Sequence, residues 1–254
     1  MNGTLLLVMA AIVVLMLFNN IRKIKEMRKD NRYVDVYMKV LRGEEDAKDN
    51  LNSYIEAETN ETTKNRALIV KAYVDDDPKS VIEAVNYDLV FKPSGQYDTN
   101  HLVSISDTFI WLILALSKYK DNREILDLVY SKIFNEEFNK HVEYLVFKAA
   151  YEIISNKEEK DVSFLTSLLS GDYAEYKYDK QLIGIYKKMS VALLVYNGNA
   201  VASEDEDMLK DFVLTQVGGR FLENLNLKEK YIVKEETVQE NNEVEEKKEE
   251  DNQE

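Results

Sequence analysis

From Leu5 to Phe18 fourteen consecutive residues are apolar, and Met1, Gly3 and Thr4 ahead of them cost little to bury. Counted from Met1, about 18 residues at roughly 1.5 Å rise each span roughly 27 Å, close to the roughly 30 Å of a bilayer core. Ile21 and Ile24 extend the apolar stripe while Arg22 and Lys23 can snorkel, which absorbs a small mismatch. The pattern predicts a transmembrane anchor over 1–20. A cleaved signal peptide is the alternative, which would place the remainder outside the cell. Against it, no Lys or Arg precedes the run, and Phe18-Asn19-Asn20 follows it in place of an A-x-A-like cleavage site. Arg22, Lys23, Lys25, Arg28, Lys29 and Arg32 all lie C-terminal to the run, so the charge bias places the rest of the chain in the cytoplasm. The same six side chains, over a basic segment at 21–30 and just beyond it, suit anionic headgroups at the membrane surface.

Beyond the anchor, apolar residues recur at helical spacing between short stretches of Asp, Asn, Glu and Gly. Ten helices in five pairs are predicted: 31–41 with 44–58, 61–74 with 78–91, 106–119 with 123–134, 138–155 with 158–169, and 180–196 with 204–225. The clearest turn is Asp77-Pro78, where Asp77 can cap a new helix and Pro78 takes the first helical position, which needs no N–H. Lys92-Pro93-Ser94-Gly95 ends a helix and opens the one long loop, read as a plain connector. From Lys234 to Glu254 the chain has ten acidic residues against three Lys and almost nothing apolar. The expected domains are therefore a helical domain at 31–227 and a disordered acidic tail at 228–254.

Three of the predicted first helices share a pattern, Trp111-x-x-Leu114-Ala115-x-x-x-Tyr119, Tyr144-x-x-Phe147-Lys148-x-x-Tyr151 and Tyr186-x-x-Met189-Ser190-x-x-Leu193, with starts 33 and 42 residues apart. This resembles the tetratricopeptide repeat, whose first helix carries an aromatic, a Leu-Gly pair and a Tyr within about 34 residues. Here Ala115, Lys148 and Ser190 replace the Gly, and no Pro closes a repeat. The resemblance spans 31–225 and is architectural, with no site residues to carry over. It implies an all-α chain: an α-solenoid-like stack of helix pairs whose grooves bind peptides or proteins. An irregular helical bundle is the alternative.

Composition narrows the chemistry. Only 8 Gly and 2 Pro in 254 residues suit helices joined by short polar turns. A net charge of −14 argues against nucleic acid as a partner. With no Cys, disulfides, thiolate nucleophiles and Cys-ligated metals are excluded. His101 and His141 are the only histidines, belong to no ligand motif, and are expected at the surface or as caps. Gly218-Gly219 is expected to break a helix. Asp75-Asp76-Asp77 and Glu204-Asp205-Glu206-Asp207 fall at predicted helix starts, where acidic residues suit the dipole, and lack EF-hand spacing. No catalytic set, metal site or cofactor site is expected.

The apolar run from Phe109 to Leu116 is too short to cross a bilayer. A helix apolar on every side is either central to the core or offers its extra face to a partner. In the second case Phe109, Leu112, Leu116 and Tyr119, spaced by three and four, would line a groove for a partner helix. The sequence thus predicts a membrane-anchored adaptor or scaffold that binds lipid through its N-terminal helix and other proteins through its helical domain. A structural subunit of a larger membrane assembly and an enzyme with an unrecognised site are the competing readings.

Overall fold

The computed structural model describes residues 32–91, 99–134 and 136–232. The chain divides into two compact units, Met1–Asp98 and Thr99–Glu254, with the division inside the long loop marked by the sequence. The expected continuous domain over 31–227 is therefore split. The anchor at 1–20, the basic segment at 21–30 and the acidic run from 234 lie outside the described residues. Among the described residues all regular structure is helical, and no helix is long and apolar enough to cross a membrane.

The first unit contains α1 (32–42), α2 (Ala47–Ala57), α3 (Glu61–Val74), α4 (Pro78–Ala84) and α5 (Tyr87–Phe91). In α1, Val36, Tyr37, Val40 and Leu41 are buried, the one-sided spacing of an amphipathic helix. It stops at Gly43, whose φ of 70° lets Glu44 N–H donate to Lys39 O and Gly43 N–H to Val40 O, a Schellman turn. Asp77 caps α4 by accepting from Ser80 N–H at 3.2 Å, with Pro78 next in line. The acidic run ahead of it is held by lysines: Lys48 reaches Asp76 at 2.7 Å and Lys71 reaches Asp75 at 3.3 Å. Central to this unit is α3, which packs on α2, α4 and α5.

The predicted helix over 78–91 is broken at Val85-Asn86. Buried Asn65 of α3 takes the Asn86 N–H at 2.6 Å while its own amide donates to Glu61 O at 2.8 Å. The Asn86 side chain then accepts from Leu89 N–H and starts α5.

The second unit contains α6 (Thr99–Lys118), α7 (Arg123–Ile133), a 3-10 helix (Glu136–Lys140), α8 (Val142–Ile154), α9 (Ser163–Ser170), α10 (Ile183–Tyr196), α11 (Ser203–Phe212), α12 (Gln216–Asn224) and α13 (Lys228–Tyr231). α6, α8, α10 and α12 each pack on the next, and α12 packs back on α6. α7, α9 and α11 each pack on two consecutive members of that ring. The closure is fastened by Asn224, whose side chain donates to Ser117 Oγ at 2.9 Å and whose carbonyl accepts from Lys120.

This ring explains the apolar stretches. Every residue from Phe109 to Leu116 is buried, as are those from Met189 to Leu194, because inner helices have neighbours on several sides. The three sequence patterns fall on α6, α8 and α10, and their aromatic and apolar positions are buried apart from Tyr119. Phe109, Phe138, Tyr144 and Phe147 form one aromatic cluster, with Phe109 and Phe147 rings 5.6 Å apart.

Two further boundaries move. The predicted helix over 204–225 is interrupted before the glycines, where Thr215 caps α12 by accepting from Gly218 N–H at 3.0 Å. Gly218 and Gly219 are thus inside α12, and their role is close approach: a Cβ on Gly218 would meet Phe212 O at 1.9 Å. The expected helix break at this pair is corrected accordingly. Helical structure also continues past Leu227 to Tyr231, which is buried and hydrogen-bonded to Glu206 of α11 at 2.7 Å.

Candidate functional site

The groups with chemical potential in the second unit converge where α6, α8 and the segment before α10 meet. Glu143, in the first turn of α8, is 2% exposed. Its Oε1 accepts from Ser106 Oγ–H of α6 at 2.7 Å and from the Asp179 backbone N–H at 2.9 Å. Its Oε2 is buried without a hydrogen-bond partner. Leaving a buried polar atom unpaired costs about 1–3 kcal/mol, and more if it is charged. Burial pushes the Glu143 carboxyl above its ordinary range; the Ser106 and Asp179 donors oppose this, and the Asp179 charge adds to it.

The neighbours are as deeply placed. Tyr186 of α10, fully buried, donates its hydroxyl to Ser106 O and is held protonated chiefly by burial. Asp179 is buried and caps the turn that leads into α10, with Oδ1 accepting from Gln181 N–H at 2.7 Å and Leu182 N–H at 3.0 Å. His141 occupies the position ahead of α8 but makes no side-chain cap, and it is buried, contrary to the expected surface or capping role. Desolvation lowers its pKa to about 4, with Lys177 adding to the effect. The His141 ring is therefore neutral near pH 7 and brings no positive charge to Glu143.

Residues 171–182 form a strap between α9 and α10 that closes over this junction. Gly171 ends α9 at a φ of 89°. Lys177 then pairs with the start of α8 as a short parallel bridge, donating N–H to Lys140 O at 2.7 Å and accepting from Val142 N–H at 3.0 Å. Tyr176 sets its ring edge against Phe164 and Tyr173 against Tyr178, both at 5.2 Å. The Lys187 ammonium lies 4.9 Å from the Tyr173 ring. Tyr173, Tyr176 and Tyr178 are half-buried and give the strap an aromatic surface.

Phe109, Leu112 and Leu116 are core residues with at most 2% exposure, the first of the two readings open to this run, and in this conformation they offer no docking face; Tyr119, just past the end of α6, is half-buried. Among the described residues of this unit, the large apolar side chains that are exposed are Phe134 at 62%, Leu214 at 79% and Ile232. No sequence signal marked them, because each sits at a helix end or turn directly after a buried apolar or aromatic residue, Ile133, Val213 and Tyr231 in turn.

Of the membrane-surface set, Arg22, Lys23, Lys25, Arg28 and Lys29 lie outside the described residues. Arg32 is exposed at the start of α1, with its guanidinium 5.6 Å from the Tyr54 ring centroid. His101 falls in the first turn of α6. Glu206 is tied to Lys230 at 2.6 Å and Asp207 to Lys210 at 2.7 Å, and among the described residues no group of three or more His, Asp or Glu is placed to hold a metal ion.

Compared with known proteins, the chain matches no protein-family model, no curated protein and no solved structure.

Proposed function

We propose that this chain is a single-pass membrane protein whose helical units face the cytoplasm and act as a protein-binding adaptor or scaffold, a closed relative in design of the tetratricopeptide stack. The observation that carries the reading is the continuity from apolar run to fold. The basic stretch that follows residues 5–18 ends at Arg32, which is already the first residue described in α1. At most roughly 40 Å of chain separates residue 20 from residue 32, since extended residues span about 3.3–3.6 Å each. A tether that short keeps the first unit at the bilayer surface and raises the effective concentration of whatever the protein recruits.

The buried junction supports binding over catalysis. Ser106, His141, Glu143, Asp179 and Tyr186 converge, yet each is at most 5% exposed, so no substrate reaches them in this conformation. The surface instead offers Phe134 and Leu214 as separate apolar contact points.

Site-specific photocrosslinking tests the reading. A crosslinker at residue 134 or 214 of the membrane-inserted full chain is expected to give a discrete adduct that persists when Leu5 to Phe18 are scrambled with membrane attachment kept. Loss of the adduct on scrambling would favour a structural subunit whose anchor makes the contacts. No adduct from either position would remove the adaptor reading.

A further inference from the structure

We propose that Glu143 is a proton-controlled latch on the strap of residues 171–182, holding it closed while the carboxyl is neutral and releasing it when the carboxyl ionises. The geometry carries this. One carboxyl oxygen joins three parts of the fold: Oε1 accepts from Ser106 of α6 and from the Asp179 N–H of the strap, while the side chain belongs to α8. The other oxygen, Oε2, is buried with no donor to meet it. A neutral carboxyl keeps both Oε1 bonds and leaves only an unpaired hydroxyl. An ionised one spreads charge onto Oε2, a buried oxygen that no protein donor compensates.

The groups around Glu143 add no compensation. From α6 come Ser106 and Asp107, the latter a further negative charge in the field of this junction, acting on Tyr186. The strap brings the Asp179 carboxylate and an exposed Lys177. The start of α8 brings His141, neutral above the low pKa that burial gives it, and α10 brings the protonated Tyr186 hydroxyl, already donated to Ser106 O. α9 carries no titratable residue, and Asp127 of α7 is engaged with Tyr151, eight positions along α8. Lys140 of the 3-10 helix is exposed.

Water can reach Oε2 most directly by lifting the strap, because the strap is the covering element without regular helix. Its other ties to the helices include two backbone hydrogen bonds at Lys177, the Asp172 N–H bond to Ser167 O at the end of α9, the Tyr176 ring edge on Phe164 and the Lys187 ammonium beside the Tyr173 ring. Lifting it breaks the Asp179 N–H bond, hydrates the carboxylate, passes the proton to bulk water and presents the three tyrosines to solvent. The strap is thus more closed in acid and opens as pH rises. Each pH unit by which closure raises the carboxyl is a factor of about ten in the opening equilibrium at high pH.

Hydrogen exchange on the full chain in lipid nanodiscs tests the latch. Rates for strap amides are compared between the wild type and Glu143→Gln, an isostere that keeps the Oε1 acceptor but cannot ionise, so intrinsic pH effects cancel in the ratio. The wild-type to variant ratio is expected near one at pH 4 and at least about tenfold higher at pH 8, with α3 amides unchanged throughout. A ratio that does not change with pH overturns the proposal. Asp179→Asn, which keeps the cap but removes the adjacent charge, is expected to reduce strap opening at pH 8 relative to wild type. If Glu143→Gln does not fold, this variant decides, and unchanged or greater opening in it counts against the latch.

Discussion

Replacing Gly218 with Ala puts a methyl group where the fold has no room. The new Cβ would be 1.9 Å from Phe212 O, 2.6 Å from Phe212 C and 2.5 Å from Phe212 Cδ2. A carbon meets a carbonyl oxygen comfortably at about 3.3 Å or more, so roughly 1.4 Å must be found. The carbonyl is fixed, since it accepts from Thr215 N–H at 3.0 Å and Thr215 Oγ1 at 2.8 Å. The relief left is withdrawal of α12, which draws Phe221 and Leu222, both fully buried, off α6 and α10. A gap of about 0.5–1 Å forfeits roughly a quarter to a half of each contact well. Burial of such side chains is worth about 2–3 kcal/mol apiece, so the loss is about 1–3 kcal/mol. Residual crowding adds about 1–3 kcal/mol, and the better helix propensity of Ala returns about 1 kcal/mol. The contributions sum to about 1–5 kcal/mol, centred near about 3 kcal/mol, or a melting transition of the second unit lower by about 12 °C at roughly 4 °C per kcal/mol. Gly219→Ala is the control: its Cβ would meet Val213 O at 3.0 Å, a shortfall of a few tenths of an ångström. That variant should fall within about 1 kcal/mol of wild type. Thermal denaturation of both variants decides the matter, and a Gly218→Ala protein as stable as wild type would refute the account of how α11 and α12 meet.

Other consequences can be checked on the same protein. Phe109→Ala should cost about 3–5 kcal/mol in denaturant unfolding of the second unit, because its ring touches Phe138, Tyr144 and Phe147; a cost below 1 kcal/mol would show that the residue is not core. Asn65→Ala should cost about 1–3 kcal/mol and speed exchange of the Asn86 amide, which it caps at 2.6 Å; unaltered exchange there would contradict the α4–α5 junction. His141, whose folded pKa is lowered to about 4, adds stability that is present above its ordinary value and is lost as pH falls through the folded one. His141→Gln should therefore flatten the acid limb of the stability curve between about pH 6.5 and 4, and an unchanged limb would count against a buried neutral ring.

Local signals were legible where local chemistry decides. Gly43 and Asp77-Pro78 end and start helices through bonds within a few residues, and the sequence marks both. The Val85-Asn86 break escaped because its cause, Asn65, is 21 residues away. The pair Gly218-Gly219 was visible as an anomaly but misread, since its reason is the approach of a neighbouring helix and the actual stop is capped by Thr215. α6 announced itself as apolar on all sides, a pattern that fits a core helix and a docking helix equally. Only closure of the ring by α12 decides between them. Nothing in the chain foretold the Glu143 junction, because Ser106, Glu143 and Asp179 are joined across separations of 37 and 36 residues, and no spacing rule links them.

The side of the membrane on which the helical units lie tests the functional account most directly. Protease added to sealed cells and to inverted membrane vesicles, with the N-terminus of the recovered chain sequenced, reads both topology and retention of the anchor. The account predicts units protected in cells, digested in inverted vesicles, and a chain that still carries residues 5–18. Digestion from outside intact cells, or a mature chain beginning past Asn20, would contradict it.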